Sequence, residues 1–465
     1  MKKYLILLII TLTPLAIQAQ NYTADAVRFL STVYQNHPTL VSERLKLQQN
    51  QLSITEAEGL HDPIITGRVS RQKDAATYFS QTGQIISKET TTTQADISQK
   101  LASGADIGIG VQSTQQDNNG TLYSSRLSIN AKQPLLNGFG ELPTDITIMT
   151  AKLTADKSKI DYTSSVASTL QSALKTYSQY VIAWQKETIY EDDILLSRYL
   201  LAQIKRKNSL DMSDEIALLD AEIQVATVQD AQRSTAYERK SLEASLKTIT
   251  GETWQPTASK KIKVPDSPQL QTAITTALAQ NPGIIAMAFA IAKQTLTVKL
   301  RENKSLPVLD LNGALGYNKS GNNWQQSLQF QDPSFTIGIS TSFPWGNKEA
   351  NAQLEYERLA LKDLENQQKQ LQISITEQVK EAYNDVSLKK DRLQHHQNTL
   401  TLATKKLILE KKKFDLGMSI VDTLLEAQTY KTNAAIESAS AEFDYLQACL
   451  LRDSLLGNLS SWVSL

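Results

Sequence analysis

The residues of this chain that could do chemistry are few and scattered. Its 465 residues include one cysteine, Cys449, and four histidines. One cysteine forms neither an internal disulfide nor a cysteine-rich metal cluster, and four histidines leave little material for a histidine-rich site. The pair His395 and His396 lies in a helical pattern, where adjacent residues do not share a face. The sequence therefore predicts no metal site.

Enzyme motifs are missing as well. We find no glycine-rich phosphate loop and no nucleophile elbow, and nothing points to a catalytic triad. The 48 Lys and Arg residues balance 48 Asp and Glu residues, so no overall basic field attracts nucleic acid. We therefore expect no catalytic residues, no cofactor and no nucleic-acid partner.

The N-terminus has the pattern of a signal peptide. Lys2 and Lys3 precede an apolar stretch from Tyr4 to about Ile17, and small residues allow cleavage after Ala19. The alternative, an uncleaved anchor, needs a longer apolar stretch. Elsewhere no run of about 18 uncharged apolar residues occurs, so the sequence predicts no membrane-spanning helix and a mature chain outside the cytoplasm.

Parts of the sequence recur at two spacings. Asn36–Pro38 recurs as Asn281–Pro282, and a spacing of 244 residues relates Pro38 to Pro282 and Pro63 to Pro307. A spacing of 206 residues relates Leu210–Ser213 to Leu416–Ser419, Leu218–Ala221 to Leu424–Ala427, and Gly251 to Gly457. Shared spacings predict two structural repeats. We assign residues 1–19 to the signal peptide, 20–253 to the first repeat, 254–268 to a linker and 269–465 to the second repeat.

The first repeat carries an insertion, because the two spacings differ by 38 residues. Pro63 and Pro134 are 71 residues apart, whereas Pro307 and Pro344 are 37 residues apart. Most of the excess therefore lies between Pro63 and Pro134.

Two stretches are typical of long helices. Residues 141–250 contain no Gly, and Pro143 is their one proline. Residues 347–416 contain neither Gly nor Pro. Both stretches are rich in residues that favour helix. In the second stretch, apolar residues fall seven apart, as in a coiled coil: Val379, Val386, Leu393, Leu400, Leu407 and Phe414. Helices over about 143–208 and 347–415 would each be about 100 Å long.

The segments between the helices are typical of β-strands. Apolar residues alternate with small or polar ones in Ile107–Val111, Leu127–Ala131, Leu309–Leu315 and Phe335–Ile339. Strands of about ten residues with one apolar face fit a lipid-facing barrel, although a soluble sheet gives the same alternation. The signal peptide and the flanking aromatic residues favour the barrel. Four prolines mark the changes from helix to strand and back, since proline ends helices and cannot donate to a sheet: Pro63, Pro134, Pro307 and Pro344.

In this arrangement the sequence resembles the TolC-type outer-membrane channel family, the outer-membrane efflux proteins. The resemblance covers nearly all of the mature chain. It rests on the duplicated helix–strands–helix order, the four prolines, Gln133–Gly140, and Asp415–Ser419 followed by Asp422, Leu425, Glu426 and Ala427.

The resemblance implies a mixed α and β homotrimer in the outer membrane. Each copy would give four strands, at about 63–74, 121–133, 307–318 and 334–344, to a shared 12-stranded transmembrane β-barrel. The long coiled-coil helices would form a trimeric periplasmic α-barrel, with the linker 254–268 around its middle. We place the surplus hairpin at about 92–115 on the extracellular side or as an extension of existing strands. Oligomerisation also follows from physics, because four strands cannot close a barrel and open edges in lipid are costly.

The resemblance also assigns roles to the turns between the long helices, at about 208–213 and 415–419. Such turns dock a periplasmic adaptor (membrane fusion) protein, which couples the channel to a proton-driven or ATP-driven inner-membrane transporter. The matching positions are Leu210, Asp211, Met212, Ser213, Leu416, Gly417, Met418 and Ser419. Asp211 replaces the family's glycine, so the first turn departs from the pattern. A plain hairpin turn without a partner is the alternative.

Asp220 and Glu426 match the family's acidic positions in the pore constriction. Three copies of each would form carboxylate rings that attract cations. A second acidic position of the family falls at or beside Thr423, next to Asp422, so one ring is well supported. The alternative is that both carboxylates are solvated surface groups.

The sequence therefore predicts a passive exit duct for efflux or type I secretion, whose cargo it does not reveal. A soluble periplasmic coiled-coil scaffold or adaptor is the main alternative, but it leaves the strand regions unexplained. An envelope hydrolase on a helical stalk has no motif in its favour.

Overall fold

A computed structural model describes residues 24–79, 85–117, 120–208, 215–254 and 269–459, together with Trp462. The expected signal peptide and nearly all of the expected linker lie outside these residues. So do Leu210, Asp211, Met212 and Ser213 of the first turn.

The helices occur in two sets of closely matched length. The first set is α1 (Ala24–Asn36), α2 (Pro38–Glu58), α3 (Glu141–Asn208) and α4 (Glu215–Thr250), and the second is α5 (Leu270–Gln280), α6 (Pro282–Lys304), α8 (Lys348–Asp415) and α9 (Val421–Leu455). A short helix, α7 (Trp324–Ser327), lies between the last two strands. Both α3 and α8 have 68 residues, which confirms the two long helices expected from the sequence.

The chain divides into two compact units. The helical unit contains residues up to Leu45, Ile160–Ile285 and the chain from Gln370 onward. The sheet unit contains Lys46–Lys159 and Ala286–Lys369. The helices α2, α3, α6 and α8 contribute residues to both units.

Two asparagines in the helical unit occupy equivalent places. Asn36 at the end of α1 donates from Nδ2 to the carbonyl oxygen of Thr250, the last residue of α4, at 3.4 Å. Asn281, after α5, donates to the carbonyl oxygen of Leu455, the last residue of α9, at 3.1 Å. Because each amide occupies a carbonyl that the end of a helix leaves without a partner, the two asparagines tie matching pairs of helices together.

The core of the helical unit is rich in aromatic side chains. Phe29 is fully buried, and its ring stacks on Tyr177 at 4.6 Å and meets Trp254 edge-on at 5.3 Å. Val379, Val386, Leu393 and Phe414 of the heptad pattern are buried as well. Cys449 is fully buried and acts as a small apolar side chain.

The sheet has six strands in the order β1-β2-β3-β4-β5-β6, and every neighbouring pair is antiparallel. The strands are β1 (Ile64–Phe79), β2 (Ile85–Lys100), β3 (Asp106–Asp117), β4 (Thr121–Pro134), β5 (Val308–Gly321) and β6 (Asp332–Ser342). The expectation of four strands per chain is therefore wrong. Twelve strands no longer follow from three copies.

The extracellular placement of the hairpin at about 92–115 is also wrong. Its two arms belong to β2 and β3, and its turn, Leu101–Ala105, lies at the end of the sheet where β1 begins and β4 stops. We call this the helix end, because α2, α3, α6 and α8 adjoin the sheet there. An insertion of about 34 residues is long enough for two further strands and their turns, so the extra length entered the sheet.

One helical stretch among the described residues, Leu270–Lys304, is long and apolar enough to cross a membrane. The sequence did not predict this stretch because threonine and glutamine interrupt its apolar residues. Length and hydropathy do not separate a spanning helix from a buried one. Ala273, Ile274 and Ala277 pack in a core cluster of the helical unit, and the helix is broken at Asn281.

Candidate functional site

One face of the sheet is apolar across all six strands. A single row of cross-strand partners runs through Ile65, Ile97, Ile109, Ile129, Leu315 and Phe335. All six side chains are exposed, from 49% for Ile129 to 79% for Phe335. A continuous apolar surface of this kind is typical of contact with lipid.

The opposite face is polar. The adjacent row of partners is Thr66, Asp96, Gly110, Ser128, Gly316 and Ser334. Ion pairs also lie on this face: Lys132 Nζ is 3.0 Å from Asp310 Oδ2, and Lys100 Nζ is 3.2 Å from Asp106 Oδ1. Such a face suits an aqueous lumen.

Exposed aromatic side chains lie near both ends of the strands. Phe343 and Trp345 follow β6 at the helix end, and Tyr317 and Trp324 lie toward the other end. Aromatic rings favour the boundary between lipid and water, so their positions are consistent with a sheet that crosses a bilayer.

All four prolines lie at strand boundaries on the helix end. Pro63 and Pro307 each stand one residue before a strand, Pro134 is the last residue of β4, and Pro344 follows β6 by two residues. Proline at a strand terminus leaves the sheet ladder intact because its missing N–H is not needed there.

His61 joins three elements at the helix end, and the sequence alone did not single it out. Its Nδ1 is 2.8 Å from the carbonyl oxygen of Lys100 at the end of β2, and its Nε2 is 2.8 Å from Asp145 Oδ1 on α3. A ring protonated on both nitrogens can donate to both oxygens. The hydrogen bond to the Lys100 carbonyl, helped by the one to Asp145 and opposed by desolvation, therefore raises the pKa of His61.

We expect His61→Gln to lower thermal stability most at acidic pH. The folded-state pKa is raised, so the stabilisation is complete below the ordinary value of about 6.5 and is lost as pH rises through the higher folded value. The measurement is thermal unfolding in detergent from about pH 5 to about pH 8. His395→Gln, at an exposed site on α8, is the control. A stability difference that does not change with pH contradicts this role.

The turn between α8 and α9 is a closed C-terminal cap. Gly417 has φ of 75°, which glycine adopts without strain. Its N–H donates to the Phe414 carbonyl at 3.0 Å, and the Met418 N–H donates to the Lys413 carbonyl at 2.8 Å. These two bonds form a Schellman motif, so the turn has a defined backbone.

A buried cluster anchors the same turn, and the side chains that the turn exposes to solvent are apolar. Phe414 packs with Leu200 of α3 and Leu424 of α9 in a buried cluster, and the Ser419 hydroxyl donates to Glu410 Oε2 at 3.0 Å. The side chains above the cluster are largely exposed: Leu416 at 74%, Met418 at 73% and Ile420 at 66%. The turn thus presents apolar side chains on a rigid base.

The two predicted pore carboxylates lie on different helices near these turns. Asp220 is half-buried in the second turn of α4, and Glu426 is exposed in the second turn of α9. Neither forms an ion pair with another residue in the described part of the chain.

Comparison with known proteins gives a family match for part of the chain and a fold for nearly all of it. Residues 273–458 match the family described as Outer membrane efflux protein. The comparison with curated proteins finds no match.

Several solved structures share the fold at low identity. The Campylobacter jejuni CmeC outer membrane channel has a TM-score of 0.70 and 14% identity, covering 94% of this chain and 86% of that chain. The Vibrio cholerae outer membrane protein VceC has a TM-score of 0.68 and 10% identity, covering 94% and 97%. The open state of the Neisseria gonorrhoeae MtrE outer membrane channel has a TM-score of 0.64 and 13% identity, covering 95% and 93%.

These comparisons decide between the predicted classes of protein. They favour the outer-membrane channel over the soluble periplasmic scaffold, because the family matched by residues 273–458 is described as an outer membrane efflux protein. The sheet with one apolar face accounts for that location. Residues 273–458 thus match the outer membrane efflux protein family, and the chain has the fold of the solved TolC-type outer membrane channels.

Proposed function

We propose that three copies of this chain form the passive exit duct of a tripartite efflux or type I secretion system. The duct carries substrates from a periplasmic adaptor and an inner-membrane pump to the exterior. It does no chemistry itself, and the pump supplies the energy from protons or ATP.

The open sheet supports self-association. Within one chain β1 and β6 each have a neighbour on one side only, and unpaired strand edges in lipid cost several kcal/mol per unsatisfied group. The helices also expose apolar side chains at seven-residue spacing, such as Leu402 and Leu409 on α8, both more than half exposed. A neighbouring copy would cover both the edges and these side chains.

The turn between α8 and α9 supports the proposal that an adaptor protein docks on this chain. Its apolar side chains Leu416, Met418 and Ile420 are exposed on a backbone that hydrogen bonds hold in place. A small apolar surface on a rigid base is a typical docking site for another protein. The family resemblance gives the same role to Leu210–Ser213 of the first repeat, with Asp211 in place of glycine.

Asp220 and Glu426 are proposed as the charged lining of the constriction. Three copies would bring together three carboxylates of each kind, and such rings concentrate cations. The proposal rests on their positions in the second turn of α4 and the second turn of α9, close in sequence to the turns between the long helices.

Crosslinking from the α8–α9 turn tests the adaptor assignment. Met418→Cys is placed in native cells and treated with a short thiol-to-amine crosslinker, and the adducts are identified by mass spectrometry. The native Cys449 is fully buried and is expected not to react. We expect an adduct with a periplasmic adaptor from Met418→Cys and none from Gln397→Cys, at an exposed site on α8. Absence of an adaptor adduct at normal expression contradicts docking at this turn.

A further inference from the structure

We infer that every copy contributes six strands to the membrane wall, so that a trimer closes an eighteen-stranded barrel rather than a twelve-stranded one. The inference rests on the trimer proposed above. It concerns the β2–β3 hairpin, for which the sequence left two placements open, the extracellular side or an extension of existing strands.

The register of the hairpin puts it at membrane height. Counted from the helix end of the sheet, the pairing of β1 with β2 begins at Ile64↔Ser98. The pairing of β3 with β4 begins at Asp106↔Lys132. The hairpin therefore begins and ends at the same level as its neighbours, and nothing projects beyond them at the helix end except its five-residue turn.

The turn of the hairpin is tied to the helix end of the sheet. Gly140 N–H donates to the Ser103 carbonyl at 3.0 Å, and the Ser103 hydroxyl donates to Gln133 Oε1 at 3.1 Å. Gly104, in the same turn, has φ of 86° and lies so close to the Gly138 carbonyl that a Cβ would overlap it. A hairpin on the extracellular side could not make these contacts.

The apolar face of the sheet includes the hairpin. Ile97 on β2 and Ile109 on β3 continue the row from Ile65 to Ile129, and Ile107 and Val111 lie on the same face of β3. These four hairpin side chains are 37–54% exposed. Lipid would cover them in the wall, whereas an extracellular hairpin would leave them in water at a cost of about 25 cal/mol per Å².

An even number of strands per copy allows the barrel to close. β1 and β6 run in opposite directions, since five antiparallel steps separate them. β6 of one copy is therefore antiparallel to β1 of the next, and the apolar faces of both copies point the same way. Three copies then leave no free edge.

The strand number sets the width of the exit. With strands about 4.8 Å apart and tilted by about 40°, an eighteen-stranded barrel is about 36 Å across between backbones, against about 24 Å for twelve strands. Barrels of 16–18 strands leave an open aqueous channel. Selection of cargo by size would then fall to the helix turns and not to the barrel.

Electron cryomicroscopy of the full-length protein, extracted from outer membranes, tests the inference directly. Native mass spectrometry gives the number of copies, and a section through the barrel gives the number of strands. We expect three copies and eighteen strands. Three copies with twelve strands overturn the inference and leave the proposed duct intact, whereas a water-soluble monomer overturns both.

Cysteine labelling in outer membranes gives a second test that needs no deletion. Ile109→Cys on β3 is compared with Ile129→Cys, its partner on β4 and a wall residue under either strand count. We expect both to react with a lipid-soluble maleimide and to resist a membrane-impermeant one. Reaction of Ile109→Cys alone with the impermeant reagent places the hairpin outside the wall and overturns the inference.

Discussion

Ile129→Lys is expected to keep the protein from assembling in the outer membrane. Ile129 lies in the middle of the row of apolar partners, between Ile109 and Leu315. A lysine on the lipid face of a barrel costs about 2–4 kcal/mol at the bilayer midplane, and a trimer would carry three of them, at about 6–12 kcal/mol in all. Membrane fractionation and the heat-modified shift on gels measure the loss.

Asn130→Lys is the matched control. Asn130 is the next residue on the same strand and points to the polar face, where its partners are Gly108 and Ala314. A lysine there remains in water, so we expect normal insertion. Equal effects of the two substitutions would show that the apolar face does not contact lipid.

Removal of the carboxylates in Asp220→Ala with Glu426→Ala is expected to lower the preference of the channel for cations by about tenfold or more, the scale on which a charged constriction raises local counter-ion concentration. In a trimer the double substitution removes six negative charges from one region. The reversal potential under a salt gradient in planar bilayers measures the change.

Asp230→Ala with Glu437→Ala is the control for the constriction. These carboxylates lie on the same two helices, ten residues beyond Asp220 and eleven beyond Glu426, and both are exposed. We expect them to change ion selectivity little, because charges farther from a constriction are screened by salt. If the protein with Asp220→Ala and Glu426→Ala keeps the cation preference of the unchanged protein, these two carboxylates do not line the narrowest part of the channel.

The helical part of the fold was predictable in detail. A heptad of apolar residues and the lack of Gly and Pro predicted α8, and the helix runs from Lys348 to Asp415. Helical periodicity is a local property, since residues three and four apart share a face whatever the rest of the chain does. The repeated Asn36 and Asn281 were visible as matches in sequence, but their bonds to the ends of α4 and α9 were not.

The strand count was not predictable in the same way. The alternation Ile107–Val111 was recognised, and the insertion before Pro134 was measured correctly, yet the hairpin was placed either on the extracellular side or as an extension of existing strands, and not as two further strands of the sheet. Alternation tells which residues share a face, but the partner of a strand depends on contacts distant in sequence. Expectations carried over from the family assigned the four strands, and they omitted the pair that the insertion adds.

The candidate sites also differ in whether local sequence or distant contacts define them. Gly417 was recognised from its residue type, since a helix that ends in the left-handed conformation favours glycine. His61 was passed over because its partners are the carbonyl of Lys100 and the carboxylate of Asp145, 39 and 84 residues away. No local pattern marks a histidine of that kind.

By itself the sequence determined the class of the protein: an exported chain with long heptad helices, strands of one apolar face and duplicated order, and no motif of an enzyme. Those features follow from composition and short-range periodicity, which are properties of each segment and do not depend on the rest of the chain. Only the tertiary structure decided that six strands share one sheet, which end of that sheet holds the inserted turn, and which oxygens face His61. Backbone pairing and buried contacts between distant residues determine these, and their free energies depend on the whole folded chain.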